Sequence, residues 1–390
     1  MRILVALLAL LSTLAAVSNA HALGIRLDDI DPLATARGNA FTATADMPAA
    51  IYYNPAGITQ IDQPTLTVGA YAVFFDVDYR STNGEKHRND AEFQHAPFVH
   101  FTLPVETTPV TFGFSTHVPF GLRNDWPEDT DFSSIATESE FRYIRHSPVL
   151  AWRIVPGVSV AAGLTLNSGK ADLRRQDPNF GEVVTEARGQ DFGYVLGAHW
   201  HPAERHAFGA TYRSRNTFDL SGTVTAGGMS SSAEAEFPFP DVVVAGYSFR
   251  PTEAWNIEFN IDWTNWDVLD TVTVETEDFG DTDMEFHWKS SFIYKLGATR
   301  FFDNGYRVSA GYMFSENSVP DDHFNPAVPD ADRHLLSAGL GYTIAGLSWD
   351  LAYQFGYSST RKVRGSEPGP ADGDYQPTVH AFSASLSYAF

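Results

Sequence analysis

The stretch Trp255–Trp263 reads WNIEFNIDW, and its residues alternate strictly between apolar and polar. Tryptophan, isoleucine and phenylalanine take one set of positions, while asparagine and acidic residues take the other. Because successive side chains of a strand point to opposite faces of the sheet, this stretch predicts a strand with one apolar and one polar face. The apolar face begins and ends with tryptophan, which membrane proteins concentrate at the lipid–water interface.

The same alternation recurs in VSVAAGLTLN (158–167), FGYVLGAHWH (192–201), SWDLAYQFGY (348–357) and the terminal FSASLSYAF (382–390). A soluble β-sandwich also alternates, but its inner face is aliphatic and its outer face is charged. Here the polar face carries small residues and the apolar face carries aromatic rings, which is typical of a transmembrane barrel strand. Since lipid cannot satisfy an open sheet edge, the sheet must close. The sequence therefore predicts an all-β fold, a transmembrane antiparallel β-barrel.

The alternating segments number fourteen, and a closed bacterial barrel requires an even count. Short turns separate some of them, whereas longer connections such as 170–188 and 221–235 are rich in acidic residues, proline or glycine and are predicted as outer loops. The predicted strands are 65–79, 92–104, 109–122, 140–155, 157–174, 187–202, 205–220, 235–250, 253–272, 284–303, 305–317, 332–345, 347–363 and 378–390.

Three domains follow from the chain's composition. Residues 1–22 form a predicted secretory signal peptide, with a basic Arg2, an apolar run and the small-x-small site Ala20-His21-Ala22. Residues 63–390 form the predicted barrel. Residues 23–62, rich in alanine and threonine, fit no strand, and they either hang free at the periplasmic end or fold inside the lumen as a plug.

The net charge of −22 argues against a nucleic-acid partner, and the chain has no cysteine for disulfides. No arrangement of Ser or Asp beside His indicates catalysis, so the chain is predicted not to be an enzyme and to need no cofactor. Alternating His199, His201 and the nearby His206 are interpreted as lumen-lining residues, and no metal site is predicted. The acidic run 275–285 lacks the EF-hand glycine and is interpreted as a solvated outer loop, with loose divalent-ion bridging to lipopolysaccharide as the alternative.

Several motifs of this chain together resemble those of one protein family. NPAGI (54–58) resembles the Asn-Pro-Ala motif of the family's N-terminal hatch, and FGFSTHVPFGL (112–122) resembles its third strand. Residues 237–266 resemble its Leu-Pro…Trp…Trp-Thr-x-Trp block, with Phe237 in place of the usual leucine. Residues 288–342 are similar to its Ser-Pro-Val-Pro…Pro-Asp-x-Asp-Arg block, although the first proline is absent. Together these motifs resemble the FadL/TodX-type outer-membrane transporters of long-chain fatty acids and hydrophobic compounds, and the resemblance covers nearly the whole mature chain.

The resemblance implies a fourteen-stranded barrel in the bacterial outer membrane, with the N-terminal hatch inside the lumen. It implies passive, ligand-gated uptake of long-chain fatty acids: an outer apolar groove catches the ligand, which leaves sideways through a gap at a kinked third strand. The alternative is the same mechanism for aromatic or aliphatic hydrocarbons. The implied partners are a fatty acid or another hydrophobic small molecule, outer-membrane lipid and lipopolysaccharide, and the barrel assembly machinery, with the chain itself a monomer.

The resemblance also implies two sets of structural residues. The hatch and gating set is Asn54, Pro55, Ala56 and Gly57, for which an ordinary turn is the alternative. The lateral-gap strand carries Gly113, Pro119 and Gly121, with the gap nearest Gly113, and a bulge followed by a turn is the alternative. Pro119 has no N–H to donate to a ladder, so this strand cannot pair along its whole length.

By their position in the family blocks, Lys289 and Lys170 are the candidates for binding the ligand carboxylate. Rim lysines are the alternative for both, and Arg174 or Arg175 could replace Lys170. A carboxylate ligand needs a cation in the lumen, whereas a neutral hydrocarbon does not. The alternation also turns three acids inward, where they are expected to be hydrated or to pair with cations of the hatch or wall. These acids are Glu258, Asp262 and Asp350.

Overall fold

The structure is a computed structural model, and it describes residues 26–90, 93–367 and 369–390. The predicted signal peptide, residues 1–22, and residues 23–25 of the predicted hatch lie outside the described residues. Across the described ranges, no helix is both long enough and apolar enough to cross a membrane.

The described chain contains short helices and twenty strand segments, which form a single sheet. The helices are α1 (Pro32–Ala36), α2 (Ala50–Tyr53) and three 3-10 helices at Pro55–Gln60, Trp266–Val268 and Gly369–Ala371. The strand segments are β1 (Thr65–Ser81), β2 (Lys86–Arg88), β3 (Gln94–Pro104), β4 (Val110–Asp125), β5 (Glu138–Val155), β6 (Val158–Asp177), β7 (Gly181–Ala203), β8 (His206–Arg213), β9 (Asn216–Ala226), β10 (Met229–Phe239), β11 (Val242–Thr252), β12 (Trp255–Thr264), β13 (Thr271–Thr276), β14 (Thr282–Glu285), β15 (Ser291–Phe301), β16 (Tyr306–Ser315), β17 (Arg333–Ile344), β18 (Leu347–Ser358), β19 (Arg361–Val363) and β20 (Gly373–Ala389).

These segments make fourteen barrel strands, because six strands consist of two consecutive segments. The split strands are β2/β3, β8/β9, β10/β11, β12/β13, β14/β15 and β18/β19. All pairings are antiparallel, and β1 pairs with β20 from Thr65 opposite Ala389 to Ser81 opposite Gly373. The first and last strands therefore close the sheet, and the predicted fourteen-stranded barrel is confirmed.

Strand β12 shows the alternation that the sequence predicts. Its apolar side chains Ile257, Phe259 and Ile261 are exposed on the outer surface, whereas Asn256 and Glu258 are buried on the inner face. Since side chains alternate between the two faces of a strand, the orientation of one side chain fixes the orientation of all the others in the strand. The outer face is therefore apolar enough to meet lipid, and the inner face carries the polar chemistry.

The connections differ from the prediction on one side of the barrel. The short turns occur as expected, for example between Val155 and Val158. The predicted loops 170–188 and 221–235 are wrong, because β6–β7 and β9–β10 continue as paired hairpins to tight turns at 177–181 and 226–229. Alternating apolar residues extend these hairpins, and they pack into a small cluster: Val183, Val224, Ala226 and Ala233.

The N-terminal segment, which we define as described residues 26–62, is buried along most of its length. Its hydrogen bonds reach inner-facing groups of many strands. Examples are Ala198 O on β7, Thr211 on β8, Glu258 on β12 and Gln354 on β18. Two glycines of the wall allow close approach, because a Cβ at Gly311 or Gly297 would meet the backbone of Arg37. The segment therefore lies against the inner wall of the barrel.

The third barrel strand, β4, pairs with its two neighbours only in part. Over the described residues, its pairing with β3 runs from Thr111 to Thr116, and its register with β5 shifts between His117 and Phe120. In this interval the backbone N–H of Leu27 donates to Pro119 O at 2.9 Å. The strand is therefore interrupted around Pro119, where its backbone bonds to the N-terminal segment instead of a neighbouring strand.

Candidate functional site

Buried charges anchor the beginning of the N-terminal segment to the wall. Arg26 reaches Asp262 of β12 at 2.6 Å and Asp28 at 3.0 Å, and Lys295 of β15 lies 2.6 Å from Asp28 and 2.9 Å from Asp262. Burial alone would raise the pKa of Asp28, but the charges of Arg26 and Lys295 outweigh it and hold that pKa below its usual range. Two cations and two carboxylates thus form one network in which each charge has a partner.

Of the two possibilities for the three inward acids, hydration or pairing with cations, the structure shows pairing. Glu258 accepts backbone N–H bonds from Ala43 and Thr44 at 2.7 and 2.8 Å, and it lies 3.5 Å from Arg37. Asp350 accepts from Arg307 across the wall. Buried carboxylates need such partners, since an unpaired buried charge costs several kcal/mol.

The Asn54 corner rests against the wall at β7 and β8. Asn54 Oδ1 accepts from Ala56 N, which caps the 3-10 helix, and Nδ2 donates to Thr42 O and Ala198 O at 2.9 Å each. Pro55 begins the 3-10 helix, where its fixed φ suits the first position. Gly57 serves close packing, because a Cβ there would lie 2.3 Å from Ala45 O. A gating role for this corner stays a prediction.

The resemblance implied a gap nearest Gly113, but the break in β4 does not lie there. Gly113 pairs with Thr102 on one side and with Val149 on the other, so it sits in an intact part of the ladder. The interruption lies further along, at Pro119, because proline supplies no N–H for the ladder. Gly121, beyond the interruption, borders an apolar groove.

Two buried arginines lie beside this break. Arg213 of β8 places its guanidinium 4.1 Å from the centre of the Tyr52 ring, and it donates through Nη2 to Tyr52 O. Its Nε and Nη1 are buried and have no hydrogen-bond partner among the described residues. Arg145 of β5 donates to Asn167 and to the hydroxyl of Tyr143. With Arg26, Pro119 and Phe120 these arginines line a cavity of about 10 Å³, which we call the arginine pocket.

The two predicted lysines lie elsewhere. Lys170 is on the outward face of β6, where its side chain is 45% exposed and pairs with Asp172 at 2.8 Å. The same strand turns Asn167 and Ala171 inward, so an even-numbered residue here cannot face the lumen. Lys289 lies in the loop before β15 with an exposed side chain. Arg174 and Arg175, the suggested substitutes, are also partly exposed and pair with acids.

An apolar groove opens at the end of the barrel opposite the short turns, with a volume of about 110 Å³. Its walls come from the extended parts of the long hairpins and from the loop 316–332. Representative lining residues are Phe141, Leu173, Leu220, Phe237, Met284 and Phe286. Such a surface can bind hydrocarbon but offers few groups for a polar ligand.

A second cavity of about 80 Å³ lies above the buried charge network and has a mixed lining. It combines Arg26 and Asp28 with rings such as Trp266 and Trp288. The Trp288 Nε1 is buried and has no hydrogen-bond partner among the described residues. This cavity therefore offers both apolar surface and an available donor.

Phe120 stands between these three spaces. Its ring lies 4.9 Å from Phe239, which borders the groove, and 6.0 Å from Trp266, which borders the second cavity. Phe120 itself lines the arginine pocket and stacks near Tyr143 at 5.3 Å. The Phe120 ring therefore lies between the groove and the arginine pocket.

Sequence reasoning missed the arginines, although a signal was present. In HAFGATYR (206–213), the inward positions are Ala207, Gly209, Thr211 and Arg213. The alternation alone thus placed a cation in the lumen. The lumen-lining interpretation agrees with the structure for His199, where Nε2 lies 2.7 Å from Ala43 O. It is wrong for His206, which lies on the outward face of β8 and bonds to the hydroxyl of Tyr247. Tyr52 contacts the interrupted strand directly, since its ring packs against His117 at 5.1 Å.

A closed barrel with an apolar outer band, an occupied interior and an apolar groove defines a transport protein of the bacterial outer membrane. A family model described as "Outer membrane protein transport protein (OMPP1/FadL/TodX)" matches residues 12–390. The chain belongs to this family, and the predicted resemblance, the outer-membrane location and the absence of an enzymatic role are confirmed.

Named relatives and solved structures agree with this membership. The chain is 24% identical to a long-chain fatty acid transport protein of Salmonella typhi, with 89% of each chain covered, and 23% identical to the Escherichia coli K12 protein of the same name, with 89% and 90% covered. A Pseudomonas aeruginosa FadL homologue superposes with a TM-score of 0.85 at 17% identity, over 94% of this chain and all of the other. The Pseudomonas putida toluene transporter TodX gives 0.77 at 15% identity, over 95% and 100%. These superpositions show the shared fold.

Proposed function

We propose that this chain takes up long-chain fatty acids across the outer membrane by passive diffusion. The acyl chain enters the apolar groove, the carboxylate pairs with the arginine pocket, and the ligand leaves sideways at the interruption of β4. Residues 23–62 act as the hatch that must move for passage. The single observation that carries the proposal is the buried Arg213 beside that interruption, whose Nε and Nη1 have no hydrogen-bond partner in the described part of the chain.

Two nitrogens of the Arg213 guanidinium group, Nε and Nη1, have no hydrogen-bond partner among the described residues, and this supports an anionic ligand. A buried donor without an acceptor costs about 1–3 kcal/mol, and more when it is charged. Arginine presents its donors in a planar fork that fits a carboxylate with two parallel hydrogen bonds. The arginine pocket is only about 10 Å³, room for one water-sized group. A carboxylate therefore needs a small displacement of a neighbour, and Phe120 is the neighbour that also borders the route from the groove.

The groove supports a long apolar tail. Burial of each methylene is worth about 0.8 kcal/mol, so a groove lined by Phe141, Leu220 and Phe237 gains affinity with chain length. The same free energy of methylene burial favours release of the acyl chain into the outer leaflet instead of the periplasm. Lateral exit therefore runs downhill without an energy source.

The position of the N-terminal segment supports gating. Leu27 N bonds to Pro119 O, and Arg26 forms an isolated bridge with Phe120, so the segment touches the interruption directly. Tyr52 connects the two sites, because it contacts both Arg213 and His117. A carboxylate that draws Arg213 away from Tyr52 O would loosen this contact.

We also expect outer-membrane lipid, lipopolysaccharide and the barrel assembly machinery as partners, and a monomeric chain.

Hydrocarbon uptake by the same route is the alternative. The solved structures include toluene transporters, and neither predicted lysine lies in the lumen. The buried arginines weigh against this alternative, since a neutral ligand would leave Arg213 Nε and Nη1 without a hydrogen-bond acceptor among the described residues.

The test compares two substrates in cells that lack their own transporter. Arg213→Met removes the charge while keeping an unbranched side chain, and Arg300→Met serves as the matched control on the exposed outer surface. We expect R213M to lower uptake of radiolabelled oleate about tenfold or more, as the loss of one charged hydrogen bond predicts, while toluene uptake stays unchanged. Unchanged oleate uptake would refute the carboxylate role, and equal loss of both substrates would indicate a purely structural role.

A further inference from the structure

A cluster of metal-binding side chains lies at the outer end of the barrel, outside the transport route described above. Glu285 ends β14, His287 follows two residues later, and His323 belongs to the loop 316–332. One ligand atom from each residue lies within 4.8 Å of the others. The cluster therefore joins two loops that are separate in sequence.

The ligand atoms of the three residues lie close to one another. Glu285 Oε2 lies 3.7 Å from His323 Nδ1 and 3.9 Å from His287 Nε2. In a tetrahedral zinc site with bonds of about 2.0–2.1 Å, ligand atoms stand about 3.4 Å apart. The two distances from Glu285 exceed that spacing by roughly half an ångström or less, and the ligand nitrogens of the two histidines start from no more than 4.8 Å apart. Rotamer adjustment in loops can close such differences.

Asp270 orients one of the two histidines. Its carboxylate pairs with His287 Nδ1, and its backbone oxygen accepts from Phe286 N and His287 N at 2.7 and 3.0 Å. A histidine that donates Nδ1–H to a carboxylate presents the lone pair of Nε2, which is the arrangement that metal-bound histidines commonly have. His323 Nδ1 is buried and makes no hydrogen bond among the described residues. Both imidazoles thus have a nitrogen available.

We propose that Glu285, His287 and His323 bind a zinc ion, with Asp270 as the positioning residue. Two imidazoles and one carboxylate favour a transition metal such as Zn²⁺ over Ca²⁺ or Mg²⁺, which prefer oxygen ligands. Water completes the fourth position. Glu285 is the last residue of the acidic run 275–285, but the site differs from ion bridging by that run because its specificity comes from the nitrogen ligands His287 and His323.

Bound zinc would link the segment 285–287 to the loop 316–332 at the outer end of the barrel. Phe286, beside both Glu285 and His287, lines the apolar groove, and Trp288 lines the second cavity. On the other loop, Asn325 and Val328 line the groove a few residues beyond His323. The ion would therefore fix the position of the groove's rim, whatever ligand the groove takes.

The test uses full-length mature protein in detergent without a polyhistidine tag. Calorimetric titration with Zn²⁺ should give one saturable site per chain, and Co²⁺ should give the visible absorption of a tetrahedral complex. We expect His287→Ala/His323→Ala to abolish that site, and Asp270→Asn to weaken it about 10–100-fold. His206→Ala, an exposed histidine bonded to Tyr247 on the outer surface, is the matched control and should bind as wild type does.

Heat-modifiability on gels confirms that each variant is a folded barrel before titration. Equal zinc binding by wild type and the double histidine variant would overturn the proposal. Equal competition by Ca²⁺ or Mg²⁺ would overturn it as well, since that result would assign the binding to the acidic loop surface. Loss of the Co²⁺ spectrum in the double variant alone would support it.

Discussion

Leu27 donates its backbone N–H to the carbonyl oxygen of Pro119 at 2.9 Å, so the N-terminal segment bonds to the barrel where β4 loses its neighbour. Arg26 and Phe120 add an isolated antiparallel bridge at the same place. An exposed ladder position inside a membrane would be costly, and this contact satisfies one of its carbonyls. The proposed opening at the β4 interruption would therefore break contacts of the N-terminal segment.

Asn54 provides the first test of how the segment is held. Asn54→Asp keeps the oxygen that caps the 3-10 helix but loses the two N–H donors to Thr42 O and Ala198 O. Each buried carbonyl left unpaired costs about 1–3 kcal/mol. We expect hydrogen exchange of amides 50–60 to rise about tenfold or more in this variant, measured by mass spectrometry. Asn304→Ala, in an exposed turn, should leave these amides unchanged. Wild-type exchange in N54D would show that the donors do not hold the corner.

The barrel was predictable because a strand's period is short and repeats. One apolar and one polar face, seen clearly in WNIEFNIDW (255–263), set the register of each strand without any knowledge of its neighbours. The extended hairpins were missed, since the stretches at 170–188 and 221–235 mix acidic residues and glycine with their alternation. Charged residues are tolerated there because the hairpins project beyond the apolar band.

The candidate site was predictable only in part, because it depends on the position of each side chain along the barrel axis and on contacts between strands that are distant in sequence. The alternation in the sequence already places Lys170 outside the lumen, since Leu164 and Leu166 show that even-numbered residues of β6 point outward. The meeting of Arg213, Arg145 and Pro119 joins three strands, and no local pattern reports it. The roles of the Asn54–Gly57 corner and of the β4 interruption stay predictions.

Gly113 gives a second prediction, for a reason other than a lateral gap. A Cβ at this position would lie 2.7 Å from Val149 Cγ2 and 2.9 Å from side-chain carbons of Ile51 and Ile58. Gly113→Leu should therefore push α2 and the 3-10 helix off the wall, because overpacking costs about 1–3 kcal/mol. We expect faster hydrogen exchange in residues 50–60.

A double variant separates this effect from general damage. Ile58→Ala makes room on the opposite side, so G113L/I58A should exchange more slowly than the sum of the two single variants predicts. Gly369→Leu, where an added Cβ meets nothing within 4 Å, is the control. Strict additivity of G113L and I58A would contradict the proposed contact.

Asp262 supports a third prediction, on the buried charge network. Asp262→Asn leaves Arg26 and Lys295 with Asp28 as their remaining carboxylate. Breaking a buried ion pair typically costs about 3–5 kcal/mol, so the amides of residues 26–36 should lose most of their exchange protection. Asp172→Asn breaks the exposed pair with Lys170 and should change stability by less than about 1 kcal/mol. Similar effects of the two substitutions would show that the network does not anchor the segment.

Asp31 makes the docking of the N-terminal segment sensitive to pH. Its Oδ1 caps α1 by accepting from Leu33 N and Ala34 N, while the buried Oδ2 has no partner among the described residues. Burial and the nearby charge of Asp350 raise the pKa of Asp31 to about 7, against the opposing effects of these backbone bonds and of Arg307.

The sign follows from the proton balance. The docked segment keeps a proton on Asp31 that the released segment, with an ordinary pKa of about 3.9, gives up. The ionisation of Asp31 therefore weakens docking of the N-terminal segment by its full amount above about pH 7, and this loss of docking free energy disappears as the pH falls towards about 4. After correction for intrinsic rates, we expect amides of α1 to be less protected at pH 8 than at pH 5.

Asp31→Asn is the decisive variant, because asparagine caps a helix as well as aspartate and carries no charge. It should remove most of the change in protection between pH 6 and 8. A smaller change at lower pH should remain, since burial, together with the charge of Asp28, raises the pKa of Asp29 to about 6. Asp31→Ala, which also loses the cap, should lower protection at every pH. Persistence of the full wild-type pH dependence in D31N would show that another group controls docking.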